Sequence, residues 1–177
     1  MHSQRPELHR VVAESIKNLY RDNLTNQAEV LALHYDQAHV RDKALYYTLL
    51  AGDRAHQRFA NREAIEYYGR ALQLSQHLNR READRWRAAV GLADTQQHIG
   101  EYEEATAFYE AALDEWKGAT TKDQAEVMLK LGRVWDKRGG LEEAETWLRQ
   151  ALSKVKTLDS TLPNLSLIHI SEPTRPY

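Results

Sequence analysis

The sequence predicts an all-α chain of stacked antiparallel helix pairs, about eight helices in all, and three observations carry that expectation. Apolar residues recur at intervals of three and four almost throughout. Three segments repeat one pattern, in which a small residue is followed by alanine at +12, an apolar or aromatic residue at +16 and alanine at +19: Gly52, Ala64, Tyr68, Ala71; Ala93, Ala105, Tyr109, Ala112; and Gly132, Ala144, Leu148, Ala151. The breaks between periodic stretches are short, which turns each helix back beside its predecessor.

The elements follow in order. Leu8, Val12, Ile16 and Leu19 mark a first helix, and Ala28, Leu31, Tyr35 and Ala38 a second. Ala44, Thr48, Ala51 and Ala55 mark the third, Ala64, Tyr68, Ala71 and Leu72 the fourth, and Trp86, Ala89, Ala93 and Gln96 the fifth. Tyr102, Ala105, Tyr109, Ala112 and Trp116 define the sixth, and Met128, Leu131, Val134 and Trp135 the seventh. The eighth is the cleanest, with Leu141, Ala144, Leu148, Ala151 and Val155 spaced +3, +4, +3, +4. No stretch alternates with period two at strand length. Breaks fall at Asn23 to Thr25, His39 to Arg41, Ala60 to Asn61, Asn79, Gly100, Gly118 to Thr121 and Gly139 to Gly140. Gly100 and Gly139 or Gly140 suit the left-handed conformation that ends a helix, and His39 tolerates it better than most residues with a side chain.

The small residues have a packing reason. Glycine inside a helix costs about 1 kcal/mol relative to alanine, so Gly132 is expected where another helix approaches closely. Alanines on the second helix of each pair supply the facing flat surface, and Tyr68, Tyr109 and Leu148 fill the space beyond. The four tryptophans, Trp86, Trp116, Trp135 and Trp147, fall on or beside the helical seams and read as filling between helices.

Offsets and unit length together resemble the tetratricopeptide repeat, a helical pair of about 34 residues. The resemblance implies a right-handed α-solenoid with units at about 45–78, 86–119 and 125–158 inside a repeat region 41–158, preceded by a helical pair over 1–40. Thr48, Ala89, Ala55 and Gln96 depart from the family's large and aromatic positions, and the third unit matches best. A weaker copy precedes the first, with Ala32, Tyr35, Ala44 and Ala51. A second resemblance covers about residues 4–78. The opening Glu7-Leu8-His9-Arg10-Val11-Val12-Ala13-Glu14-Ser15-Ile16, then Ala28, Leu33, His34, Tyr35 and Lys43-Ala44, is similar to the helical region after the ATPase module of bacterial STAND-type signalling ATPases.

The tail is of another kind. Residues 165–175 read LSLIHISEPTR, which matches the translation of a transposase adapter used in preparing sequencing libraries. Residues 159–177 are therefore expected to be a disordered tail without function, and the chain a fragment of something longer. Pro163, Pro173 and Pro176 break helical structure there in any case.

Composition and motifs narrow the function. The 177 residues are 42% hydrophobic and 28% charged, with 24 Lys and Arg against 26 Asp and Glu, so no global field draws the chain to nucleic acid or an anionic membrane. There is no cysteine, and no apolar run approaches the length of a signal peptide core or a membrane span, so a cytoplasmic location is expected. His34 and His39 are five apart on different helical faces and no compact ligand spacing occurs, so no metal is expected. None of the eight glycines opens a phosphate-binding turn, and Ser15, Ser75 and Ser153 lack a nucleophile elbow, so no cofactor and no catalytic residue is assigned. Acidic runs such as Glu101 to Glu104 and Glu142 to Glu143 open helices, where the dipole favours them.

A repeat solenoid works through its concave face, formed mainly by the first helix of each pair. That face is expected to comprise Tyr46, Leu49, Asp53 and His56, then Arg87, Val90, Asp94 and Gln97, then Glu126, Leu129, Arg133 and Asp136. Mixed charge over some apolar floor suits an extended peptide or another helix. Leu49, Asp53, Val90 and Asp94 stand where chaperone-binding relatives place a lysine and asparagine clamp, so that sub-function does not fit. The expectation is a protein–protein interaction scaffold, the regulatory arm of a larger bacterial signalling ATPase. A stand-alone adaptor is the alternative and an enzyme of unknown type the third.

Overall fold

A computed structural model describes residues 4–79, 81–115 and 119–161. Trp116, Gly118 and residues 162–177, including the adapter match, lie outside the described residues.

Among the described residues the chain is all-helical, with eight α-helices and no strand. They are α1 (Gln4–Leu19), α2 (Ala28–Gln37), α3 (Arg41–Gln57), α4 (Asn61–Gln76), α5 (Glu82–Ile99), α6 (Tyr102–Glu115), α7 (Thr121–Arg138) and α8 (Leu141–Thr161). The break expected around Asn23 is wound as a 3-10 helix over Arg21–Gln27, kinked where Asn23 leaves helical geometry at φ −144° and ψ 40°. Each helix packs against its neighbours in sequence, and α3 also meets α5. That contact pattern is a solenoid rather than a bundle closed around one centre.

Close approach occurs where the small residues predict it. A Cβ built on Gly132 would stand 2.7 Å from Leu148 Cγ and 3.3 Å from the Ala144 carbonyl oxygen. Ala64, Ala71 and Ala105 are fully buried, as is Ala93. Ala13 extends the series: it is fully buried, and Ala13, Gly52, Ala93 and Gly132 are spaced by 39, 41 and 39 residues. The in-phase unit ahead of Gly52 is thus α1 with α2, with the 3-10 helix inserted between them.

Two apolar clusters divide the stack. One joins α1 to α5 around Leu31, Tyr35, Leu45, Leu49 and Tyr68, and the other joins α5 to α7 around Tyr109, Val127, Leu131 and Val134. Burying a leucine such as Leu31, Leu45 or Leu131 contributes about 1.5–3 kcal/mol. Phe108 packs against both clusters.

Gly100 (φ 87°) and Gly139 (φ 83°) end α5 and α7 in the left-handed conformation, and His39 (φ 57°) does the same after α2. Gly140 does not, but a Cβ there would meet the Trp135 ring at 2.6 Å. Phe59 (φ 58°) holds the equivalent place after α3, which glycine-based reasoning did not foresee. Thr120 and Asp123 form a reciprocal capping box that starts α7.

Candidate partner-binding groove

The first helix of each of the first three units places an acid directly after its small residue: Glu14 after Ala13, Asp53 after Gly52, and Asp94 after Ala93. In each case a tyrosine from the next helix and a cation from the first helix of the following unit converge on that carboxylate. The Tyr68 hydroxyl donates to Asp53 Oδ1 at 2.8 Å, and the Arg87 guanidinium reaches Oδ2 of the same group. The Tyr109 hydroxyl donates to Asp94 Oδ1 at 2.5 Å with Gln97 2.9 Å away, and Lys130 Nζ donates to Asp94 Oδ2 at 2.9 Å. In the first unit Tyr35 donates to Glu14 at 3.0 Å, and Lys43 bonds the same oxygen.

Each clasp joins three helices through one carboxylate. Burial, then the facing Asp53 and Asp94 carboxylates, push the Tyr68 and Tyr109 hydroxyls far above the ordinary phenol range, so both remain donors at any physiological pH. The hydrogen bond from Lys43 holds Glu14 below its usual range. Tyr68 is also gripped from two sides, because a Cβ on Gly52 of α3 or on Gly91 of α5 would stand 2.8 Å or 2.4 Å from its ring.

The last unit breaks the series at two places at once. The acid position holds Arg133 and the tyrosine position Leu148, so no clasp forms, and Arg133 pairs with no acid among the described residues.

Between α3, α5 and α7 lies an open groove of about 480 Å³ lined by His56, Asp94, Gln97, His98, Lys130 and Arg133. Of the twelve residues expected on the concave face it gathers His56, Asp94, Gln97 and Arg133. Asp53 and Arg87 are committed to each other, and Glu126 lies 3.5 Å from Lys130. Tyr46 packs edge-on against Tyr47 and is 56% exposed, Leu129 is exposed, and Asp136 borders the groove between α7 and α8 instead. Leu49 is a correction: it is 1% exposed, because the inner helices are buried on more than one side, and it belongs to the core.

Lys130 and His98 were missed. For Lys130 a signal existed, since it follows Asp94 by 36 residues much as Arg87 follows Asp53 by 34. Thr95 donates its hydroxyl to the Gly91 carbonyl at 2.7 Å, so His56 Nδ1, 3.0 Å from Thr95 Oγ1, is the donor in that pair. His56 and His98 rings stand edge-on at 6.2 Å, and Phe59 reaches His98 at 5.2 Å from the rim.

This arrangement of notched helix pairs and a polar inner face decides the comparison. Residues 84–156 match the tetratricopeptide repeat family. The tetratricopeptide-repeat match thus spans α5 to α8 and the units that carry Ala93 and Gly132. Among solved structures, BtubC (BKLC) from P. vanneervenii is similar over 97% of this chain and 76% of its own at 20% identity, with a TM-score of 0.60. MamA is similar over 84% of this chain and 87% of its own at 15% identity, with a TM-score of 0.57. Both share the fold over more of the chain than residues 84–156. No curated protein matches the sequence. Tetratricopeptide repeats are interaction scaffolds, and among the described residues no helix is long and apolar enough to cross a membrane and no trio of potential ligands stands together for a metal ion.

Proposed function

We propose that this chain is a non-enzymatic scaffold that holds a partner protein's peptide or helix in the groove between α3, α5 and α7, with Phe59 as the rim anchor. One observation carries this reading. Phe59 is 67% exposed and sits at φ 58°, in the turn position where the later units have Gly100 and Gly139. A bulky residue there costs about 1 kcal/mol or more of backbone strain, and such strain persists where the side chain is used. An exposed aromatic beside His98 and His56 is the kind of anchor on which binding energy concentrates.

The test separates stability from binding. Phe59→Gly should raise the stability of the fold by about 0.5–1 kcal/mol, measured by chemical denaturation, because glycine accepts the conformation freely. The same variant should lose the proteins that the wild-type chain retains on an affinity support. A variant that melts higher yet retains the same proteins would overturn the reading.

The larger context is a finer proposal that rests on the resemblance of residues 4–78: this stack is the regulatory arm of a bacterial signalling ATPase, working in the cytoplasm. Contact with a partner, or with another part of the same chain, would be coupled to that ATPase. A phosphate-binding loop encoded ahead of Met1 supports it, whereas a stop codon and ribosome-binding site there supports a stand-alone adaptor.

A further inference from the structure

We infer that the middle of the stack carries a second binding site, a groove between α4, α5 and α6 that takes a lysine- or arginine-bearing amphipathic helix of a partner protein. The groove measures about 590 Å³, and Leu72, Ala89, Phe108, Ala111, Asp114 and Glu115 are among the residues that line it. Ala89 lies on α5, buried and in phase with Met128 of the last unit, and alanine leaves room that a longer side chain would take. Leu72 of α4 and Phe108 of α6 are half-buried and give the walls an apolar surface. Phe108 is held in place by both core clusters. The preceding level differs. There Arg70 of α4 reaches across to Asp36 of α2 at 2.6 Å, so an ion pair spans the two second helices. Ala111 stands in phase with Arg70, and among the described residues no ion pair joins α4 to α6.

Charge selects the occupant. Asp114 and Glu115 are exposed and form no ion pair among the described residues. They stand in the last turn of α6, where the helix dipole disfavours acids, and that turn holds no basic residue. Gln76, the last residue of α4, lines the same groove, so two negative helix ends and two carboxylates come together there. Arg85 also lines it, but its guanidinium is spent on the end of α4, donating to the Ser75 carbonyl at 2.9 Å. The positions in phase with the two acids are Gln73 and Leu74 on α4 and Ser153 and Lys154 on α8, so the acidic rim belongs to this level alone. A cation on the occupant supplies what the rim lacks, and its apolar side chains meet Leu72 and Phe108. The groove offers side chains and no sheet edge, which fits a helix whose backbone bonds are already made.

Fluorescence anisotropy on the full chain tests this with two labelled helical peptides of about 18 residues, or five turns. One carries leucines along one face and lysines on its flanks, and the other has glutamates for the lysines. The lysine peptide should bind, and the glutamate peptide should bind at least about tenfold more weakly. Replacing both acids, Asp114→Asn with Glu115→Gln, should weaken the lysine peptide by about tenfold. Ala111→Arg, which restores the cation of the preceding level, should weaken it as well. Circular dichroism of each variant should remain that of the wild type. Phe59→Gly should leave this binding unchanged, which keeps the result separate from the groove between α3, α5 and α7. No binding of the lysine peptide, equal binding of both peptides, loss of binding in Phe59→Gly, or wild-type binding after both acids are replaced would each overturn the inference. So would a lysine peptide that binds only after Lys117→Ala, because the two acids would then serve the chain's own loop.

Discussion

Gly91→Leu should destabilise the chain by about 3 kcal/mol, at the upper end of what overpacking costs. The reason lies in how Tyr68 is held. Its ring rests between α3 and α5, 2% exposed, and a Cβ on Gly91 would already stand 2.4 Å from Cζ. The ring cannot retreat toward α3, where a Cβ on Gly52 would stand 2.8 Å from Cε1, and its hydroxyl is fixed to Asp53. Relief must come from moving α5 off α4, which also pulls Arg87 from Asp53. Gly132→Leu presses on Leu148 instead, and because Leu148 is 41% exposed it can swing aside, so the same substitution costs less there. Denaturant titration of the two variants side by side checks the ranking, and equal losses would contradict the grip on Tyr68.

Tyr109→Ala should cost about 4 kcal/mol, the range for removing a buried aromatic. Tyr109 is fully buried and links α6 to Asp94 of α5, which in turn holds Lys130 of α7. It is also the largest member of the second apolar cluster, whose other main members come from α5, α6 and α7. Its loss should therefore uncouple the far end of the stack, and thermal unfolding should split into two transitions with α7 and α8 melting first. Tyr109→Phe keeps the ring and removes only the bond to the carboxylate, for a loss of about 1.5–3 kcal/mol. A single transition with a loss under about 1 kcal/mol in the alanine variant would show that the clasp does not join the units.

The helices and their nesting were legible because both are periodic signals. The offsets from Gly52 to Ala71 recur unchanged from Ala93 to Ala112 and from Gly132 to Ala151, and a notch has only one use in a helix pair. The groove was less legible, for two physical reasons. The inner helices are buried on several sides, so face assignment by period put Leu49 on the surface when it is in the core. Asp53 and Asp94 read as free ligands because their partners come from other helices, Tyr68 and Tyr109 15 residues on and Arg87 and Lys130 34 and 36 on. Residues that far apart meet only once the stack is built. Phe59 carried a signal only in its position, seven residues after Gly52 as Gly100 follows Ala93 and Gly139 follows Gly132, because nothing about a phenylalanine itself announces a left-handed turn. In the N-terminal pair the 3-10 insertion over Arg21–Gln27 moves the tyrosine from +15 to +21, from Glu14 to Tyr35, and hides the first clasp from an offset search.

The claim beneath all of this is that the described residues form a linear stack, each unit stabilised by its neighbours through notches and clasps, and that the last of these units forms no clasp. Native-state hydrogen exchange, on protein dilute enough to be monomeric, measures that most directly. Amides of α8 should exchange through openings well below the global unfolding free energy, while those of α3, α4 and α5 exchange only by the largest opening. Uniform protection from α1 to α8, lost in one global step, would contradict it.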